Sequence, residues 1–178
     1  MSGRVILDLC AGSGAWSQPY VDRGYEVIRV TLPEDVRLVH RSVRHVHGIL
    51  AAPPCTVFAS SGARWSRTEW QMIEGLSVVD ACLRAVVLYQ PAWWALENPV
   101  GTLSRYLGPP AMTFQPWQYG DPYVKRTCLW GRFTPLKKRP VEPVLGALIH
   151  RMAPSPERTA KRSITPAGFA EAFFESNP

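Results

Sequence analysis

The sequence predicts an α/β fold: a mostly parallel, twisted sheet with helices on both of its faces. Three observations carry this. Short apolar runs over residues 5–9, 25–32, 46–52 and 92–96, rich in β-branched or aromatic side chains, have the length of buried strands. The first of them runs directly into a glycine-rich turn and a helix start, the opening of a βα unit. Between the third and fourth, residues 70–90 place Met72, Ile73, Leu76, Val79, Cys82, Leu83, Val86 and Val87 at helical spacing, enough to cover a sheet. A chain of 178 residues holds one such domain with a sizeable core, and is too short for two ordinary ones.

Each element has a local reason. The run 5–9 ends at Cys10-Ala11-Gly12-Ser13-Gly14, where glycines let a backbone approach a ligand closely. Ala15 and Trp16 follow as a helix start, whose first amides are free to meet an anion, and Gly24 is placed to stop it. Val27, Ile28 and Val30 mark the second strand. Asp35-Val36-Arg37 reads as a very short third strand, and the histidine-rich 40–47 as a solvated connector. The strand 46–52 is stopped by Pro53 and Pro54, neither of which can donate to a sheet ladder. The loop 56–68 carries Ser60, Gly62, Arg64, Trp65 and Arg67, residue types suited to phosphate and base contact. Pro91 ends the long helix, and the strand 92–96 delivers Glu97-Asn98-Pro99. A turn at Gly120-Asp121-Pro122 leads to a late strand over 126–133. Residues 134–156, rich in proline, read as an arm rather than core. Thr165-Pro166 opens a last helix with Phe169, Ala170, Phe173 and Phe174 on its apolar face.

Composition narrows the function. Apolar content of 46% is ordinary for a globular protein, and no apolar run approaches the ~18 residues of a membrane span. With no signal segment at its start, the chain is expected in a cytoplasm, bacterial or of a phage-infected host. The four cysteines, Cys10, Cys55, Cys82 and Cys128, lie far apart with no zinc spacing, so free thiols and no metal are expected. The net charge of +6 is unevenly spread: residues 1–124 hold ten basic and ten acidic side chains, whereas 125–162 hold ten basic against two acidic. Such a block suits a polyanion, though a merely soluble, poorly ordered segment would have the same charge.

Two strand ends now matter. Cys55 follows one and Glu97 ends another, and open α/β sheets bind ligands at the carboxyl ends of their strands. A lone cysteine is usually an inert core residue. A thiol and a carboxylate offered to one crevice form a constellation.

In this order, the pieces resemble the cytosine-C5 DNA methyltransferases, especially their compact phage-type members. Asp8-Leu9-Cys10-Ala11-Gly12-Ser13-Gly14-Ala15 is similar to the family's first motif, Pro53-Pro54-Cys55 to its P-P-C, and Glu97-Asn98-Pro99 to its E-N-V. The late strand looks like the family's arginine-bearing strand, with Arg126 at one arginine position and Lys125 beside it. Ser163-Ile164-Thr165-Pro166 resembles its closing motif faintly. The chain departs from the family at Cys10, which replaces a phenylalanine, at Thr31, where an acidic residue would hold the cofactor ribose, and at Ser163, which replaces an asparagine. The family's target-recognition region is missing; the basic, proline-rich segment 132–162 stands in its place.

The resemblance implies a Rossmann-like fold dependent on S-adenosylmethionine (SAM), with residues 1–178 as one catalytic domain. Asp8, Cys10, Ala11, Gly12, Ser13, Gly14, Trp16, Thr31, Leu32, Asp35, Val36, Pro53 and Ser163 would surround the cofactor, Leu32 packing its adenine and Asp35 accepting from its amino group. Cys55 would add to C6 of cytosine, Glu97 would serve N3, and Arg126 the base carbonyl or strand. Ser60, Arg64, Arg67, Lys125, Arg132, Lys137, Lys138 and Arg139 would meet double-stranded DNA, with short or relaxed sequence specificity and the base flipped out. The enzyme is expected as a monomer. Exocyclic-amino methylases need an acceptor side chain before P-P; here that position is Ala52, which has none. Two alternatives stay open: methylation of free cytosine nucleotides such as dCMP or dCTP, and a non-catalytic DNA-binding relative.

Overall fold

A computed structural model describes residues 3–39, 45–60, 66–148 and 158–178. Its centre is a six-stranded sheet: β1 (Val5–Leu9), β2 (Glu26–Val30), β3 (Gly48–Ala51), β4 (Trp93–Pro99), β5 (Met112–Phe114) and β6 (Thr127–Arg132). The spatial order is β2-β1-β3-β4-β6-β5. The first four strands in that order run parallel; β6 runs antiparallel to them, and β5, antiparallel to β6, has their direction again. The carboxyl ends of β1 to β4 and the amino end of β6 therefore share one edge. Strand order reverses direction between β1 and β3, which makes their carboxyl ends the crevice where such sheets take ligands.

Alternation splits the core into two faces. Leu7, Leu9, Ile49, Ala51, Leu96, Cys128 and Trp130 point to one side and are covered by α2 (Glu69–Tyr89). Cys82 of α2 is buried there, as its position on the apolar face predicts. A capping box opens α2, with Thr68 and Gln71 exchanging side-chain-to-backbone bonds. Ile6, Leu50, Trp93, Ala95 and Leu129 point to the other side. They meet Trp16 and Tyr20, from the segment carrying α1 (Gln18–Asp22), and Phe169 and Phe173 of the last helix, α5 (Ala167–Ser176). Helix α1 begins later than Ala15, because Pro19 has no N–H and is tolerated only in a first turn.

Other expectations change. The segment at Asp35 is a 3-10 turn, Val36–Leu38, not a strand: the Asp35 carboxylate accepts the Arg37 N–H at 2.9 Å and caps the turn. Between Pro99 and Gly120 lie α3 (Ser104–Leu107), the edge strand β5 and a 3-10 turn, Pro116–Tyr119. These pieces are too short for periodicity to reveal.

The proline-rich segment is docked along its described part, 134–148. The Thr134 N–H donates to the buried side chain of Asn177 at 2.7 Å, and Leu136 is in the aromatic core. Arg139 and Val141 donate backbone N–H groups to Gln118 and Trp117 at 2.9 and 2.8 Å. Leu145 donates to Pro122, and Val124 to Gly146, at 3.0 and 2.9 Å. This strap leaves the far end of β6 and climbs back to the turn before it. Beyond residues 149–157 the chain resumes in α4 (Arg158–Ser163) and then α5. Asp121 caps α5 from outside, its carboxylate accepting the Gly168 N–H at 2.9 Å. The turn 120–122, the end of the strap and the start of α5 thus meet at the ligand-binding edge.

Candidate active site

Cys55 follows β3 after two prolines, of which Pro53 is buried and Pro54 exposed. The loop folds back at once: Phe58 and Ala59 donate N–H groups to the Cys55 carbonyl at 3.0 and 2.9 Å. Three contacts then latch it to the segment after Glu97. Ser60 N–H donates to Val100 at 3.0 Å, Thr102 N–H donates to Phe58 at 2.8 Å, and Ala59 bridges Gly101. Asn98 anchors the root of the loop, its buried amide donating to the Pro53 carbonyl at 3.0 Å. Val100 N–H in turn reaches the carbonyl of Arg126 at 3.3 Å. Three loops of one sheet edge, those bearing Cys55, Glu97 and Lys125, form one hydrogen-bonded unit.

Register fixes which side chains face each other. Glu97 pairs with Leu129 and Pro99 with Thr127, so alternation carries this face on to Lys125. Arg126 continues the opposite face, that of Cys128, and is exposed. The electrostatics agree. Burial raises the Glu97 carboxyl above its ordinary range, and Lys125 pulls it back. Burial and then the charge of Glu97 push the Cys55 thiol up; Lys125 and Arg162 act against them. Lys125 and Arg162 are the cations whose charge acts on the thiol, whereas Arg126, expected at the base carbonyl or the strand, acts on Cys128. Strand parity could have favoured Lys125; nothing local in the sequence singles out Arg162.

The turn after β1 is strained in a useful way. Cys10, at φ 57°, occupies the left-handed region that ordinary side chains avoid, and Gly14, at φ 70°, leaves room for the Arg29 side chain lying on it. Arg29 donates to Ser17 Oγ at 3.0 Å, the Gly14 carbonyl at 3.2 Å and Gln18 Oε1 at 3.0 Å, tying the turn to β2. A hydrogen bond from Cys82 holds the Cys10 thiol below its ordinary range. Ala11 N–H donates to Val30 at 3.1 Å, and Ser13 Oγ accepts from Ala15. Asp8, 1% exposed, has its Oδ2 without a partner among the described residues, and burial pushes its pKa up to about 6 against the pull of Ser17 and Arg29.

These residues are a partial fit to SAM. An orphaned buried carboxylate oxygen beneath a glycine turn suits the ligand's ammonium group, and Leu32, 85% exposed after β2, offers an adenine ring an apolar face. Val36 is buried behind it. Asp35 is engaged, its carboxylate paired with Arg37 at 2.7 Å while Arg37 also meets Glu74 at 2.5 Å. Thr31 supplies only a hydroxyl for a ribose. Trp16 is in the aromatic core, edge-on to Phe173 at 5.4 Å, with its indole N–H unpaired among the described residues. Ser163 ends α4, its hydroxyl donating to Ala160 at 2.8 Å. Among the described residues, no cluster of His, Cys, Asp and Glu could hold a metal ion, and no helix is long and apolar enough to cross a membrane.

The residues expected on DNA divide. Ser60 is at the exposed end of the Cys55 loop, and Arg67 braces that loop through the Thr56 carbonyl at 2.9 Å. Arg64 lies outside the described residues. Arg132 pairs with Trp94, about 10 Å along the sheet from Glu97 at the strand rise, and its guanidinium donates to Pro91 at the opposite edge. Arg139 is paired with Glu175 at 2.9 Å. Lys137 and Lys138 are exposed on the strap beside them. Among its described residues, the basic segment therefore spreads its charge along the molecule rather than gathering it at the Cys55 edge.

No protein-family model and no curated protein matches the chain. Solved structures do. A protein described as a DNA modification methyltransferase encoded within an E. coli prophage superposes with a TM-score of 0.52 at 16% identity, over 80% of this chain and 54% of that one. A methyltransferase of Entamoeba histolytica aligns with a TM-score of 0.45 at 12% identity, over 80% and 57%. The chain thus spans about half the length of these proteins. The six-stranded sheet flanked by helices has the Rossmann-like methyltransferase fold.

Proposed function

We propose that the chain transfers a methyl group from SAM to C5 of cytosine in DNA. The observation that carries the reading is the Cys55–Glu97 pair: a thiol and a carboxyl group on adjacent strand ends, joined by a latched loop with Lys125 on the same face. When bound, SAM supplies an electrophilic methyl group. The protein must then make a poor carbon nucleophile attack it.

Carbon 5 of cytosine becomes nucleophilic when a thiolate adds to C6. Cys55 forms the S–C6 bond, and its electron pair flows through the ring toward C5 and N3. Glu97, with its carboxyl raised by burial, is suited to donate a hydrogen bond or proton at N3. The two groups disfavour each other's negative charge, so a protonated Glu97 and an ionised Cys55 are mutually supporting states. Lys125 and Arg162 then balance one negative charge rather than two. After C5 has been methylated, its proton passes to water, and the electron pair left behind re-forms the C5–C6 double bond as the S–C6 bond breaks and the Cys55 thiolate departs. Asp8 receives the ammonium group of SAM and Leu32 its adenine. Ser60 and Lys125, on the crevice rim, would meet the strand, and base flipping would bring the cytosine to Cys55.

Methylation of free cytosine nucleotides is the second reading. The docked strap favours it: Arg132 and Arg139 are engaged away from the crevice, and among the described residues no separate base-reading unit stands over Cys55. Radiolabelled SAM incubated with DNA and, separately, with dCMP and dCTP decides between them, with the product nucleoside identified by mass spectrometry. 5-Methylcytosine in DNA supports the first reading. Label confined to the nucleotides supports the second, and N4-methylcytosine overturns both.

A further inference from the structure

The segment that latches the Cys55 loop carries side chains that the latch does not use. After Gly101 the chain enters α3, which is anchored at both ends. Leu103 is fully buried and Leu107 packs on the same core. Trp130 holds the exit, its indole N–H donating to the Gly108 carbonyl at 3.0 Å. Between these anchors, Ser104, Arg105 and Tyr106 are exposed. Tyr106 keeps half of its surface open, and its ring stands edge-on to Phe58 at 6.3 Å. Phe58 is the buried residue whose N–H returns to the Cys55 carbonyl at 3.0 Å, so Tyr106 rests directly on the loop of the thiol. Arg126 lies on the same side of the sheet. Alternation puts it on the face of Cys128 and Trp130, which share a core with Leu103, and its carbonyl accepts the Val100 N–H at 3.3 Å. Arg23, Arg37 and Arg139 each meet a carboxylate, but Arg105 and Arg126 meet none among the described residues. Two uncompensated cations and a half-open ring thus share one side of the Cys55 edge, on segments joined through Val100 and Phe58.

We propose that Arg105, Tyr106 and Arg126 hold the DNA strand beside the target cytosine, the arginines at phosphates and Tyr106 stacked on a neighbouring unpaired base. The inference rests on the reading of DNA as the substrate, and names the part of the chain that grips it. An exposed tyrosine alone would be commonplace. This one sits next to uncompensated positive charge, and cations interleaved with aromatic rings are what a single strand needs: charge for its backbone and a flat face for each base. Its seat is also rigid, so little ordering is lost when a base settles on it. A cytosine delivered to Cys55 within a strand brings its neighbours to this rim, whereas a free nucleotide brings none. Arg126, turned away from the face of Glu97, then serves the strand rather than the base carbonyl. The grip falls to this side because Arg132 and Arg139 are engaged elsewhere.

The test is fluorescence anisotropy of the full chain with a labelled single-stranded oligodeoxynucleotide and with the matching duplex, each titrated at several salt concentrations. Arg105→Gln and Arg126→Gln are each expected to weaken binding to both and to lower the salt slope by about one. Tyr106→Leu keeps an apolar cover on Phe58 but removes the ring. It is expected to lose about fivefold or more in affinity for the single strand, and less for the duplex, whose bases are already stacked, with the salt slope kept. Tyr106→Phe should bind like wild type. Circular dichroism establishes that each variant is folded. The proposal is overturned if Tyr106→Leu loses no more on the single strand than on the duplex, or if Tyr106→Phe loses as much as Tyr106→Leu. An unchanged salt slope in either arginine variant overturns it as well. Wild-type protein that binds neither DNA overturns the proposal together with the DNA reading; wild-type binding that the variants leave unaltered overturns the proposal alone.

Discussion

Replacing Gly101 by alanine tests whether the Cys55 loop is held by the segment that follows Glu97. A Cβ at Gly101 would strike the Phe58 carbonyl oxygen and would lie 2.7 Å from its carbon and 2.9 Å from Ala59 Cα. All three are main-chain atoms, so no rotamer change relieves the contact. Carbon atoms pack at about 3.5 Å or more, and the two segments must separate by roughly 1 Å. That movement pulls directly on the Thr102 N–H to Phe58 bond at 2.8 Å and the Ser60 N–H to Val100 bond at 3.0 Å. Two backbone bonds at about 1 kcal/mol each, with about 1 kcal/mol of overpacking, give a loss of about 3 kcal/mol. For a domain of this size, the melting temperature should fall by roughly 6–12 °C in a thermal melt. Methyl transfer should fall more steeply than stability, because the thiol and carboxyl group separate. A Gly101→Ala protein that melts like wild type and remains fully active would refute the latch.

Three further outcomes follow from the same geometry. Cys55→Ala should abolish methyl transfer while leaving SAM binding intact by calorimetry; undiminished transfer would end the nucleophile assignment. Asp8, raised from 3.8 to about 6 by burial, binds its proton more tightly folded than unfolded, so stability should fall as pH rises from about 4 to about 6 and level off above, by about 3 kcal/mol in all. Asp8→Asn should remove that slope in denaturant titrations, and a slope left intact would mean another group is responsible. DNA affinity should fall steeply with salt concentration in a binding titration, since basic side chains would displace counterions; a flat response would exclude the phosphate grip.

The sheet was legible because its strands carry their own signals. Val5 to Leu9 and Trp93 to Leu96 are apolar runs bounded by glycine, proline or charge, and α2 repeats its apolar face over 21 residues. Cys55 and Glu97 could be nominated because prolines and a carboxylate mark strand ends directly. Their latch could not: it uses main-chain groups of Ser60, Val100 and Thr102, which look alike in any sequence. Lys125 and Arg126 are adjacent, and only the pairing of Glu97 with Leu129 decides which faces the crevice. The resemblance assigns Asp35 to the adenine; its pairing with Arg37, which also meets Glu74 of the distant helix α2, has no local signal in the sequence. The strap escaped for a related reason. Its prolines suppress periodicity, and its order comes from backbone bonds to residues 117–124.

The central claim is that Cys55 forms a covalent bond to the target base. DNA containing 5-fluorocytosine tests it most directly, because fluorine at C5 cannot leave as a proton does and the adduct persists. With SAM present, the protein should yield a complex stable to denaturing electrophoresis, joined through Cys55 by peptide mapping and absent from Cys55→Ala. No complex on such DNA from a folded, SAM-binding protein would contradict the claim.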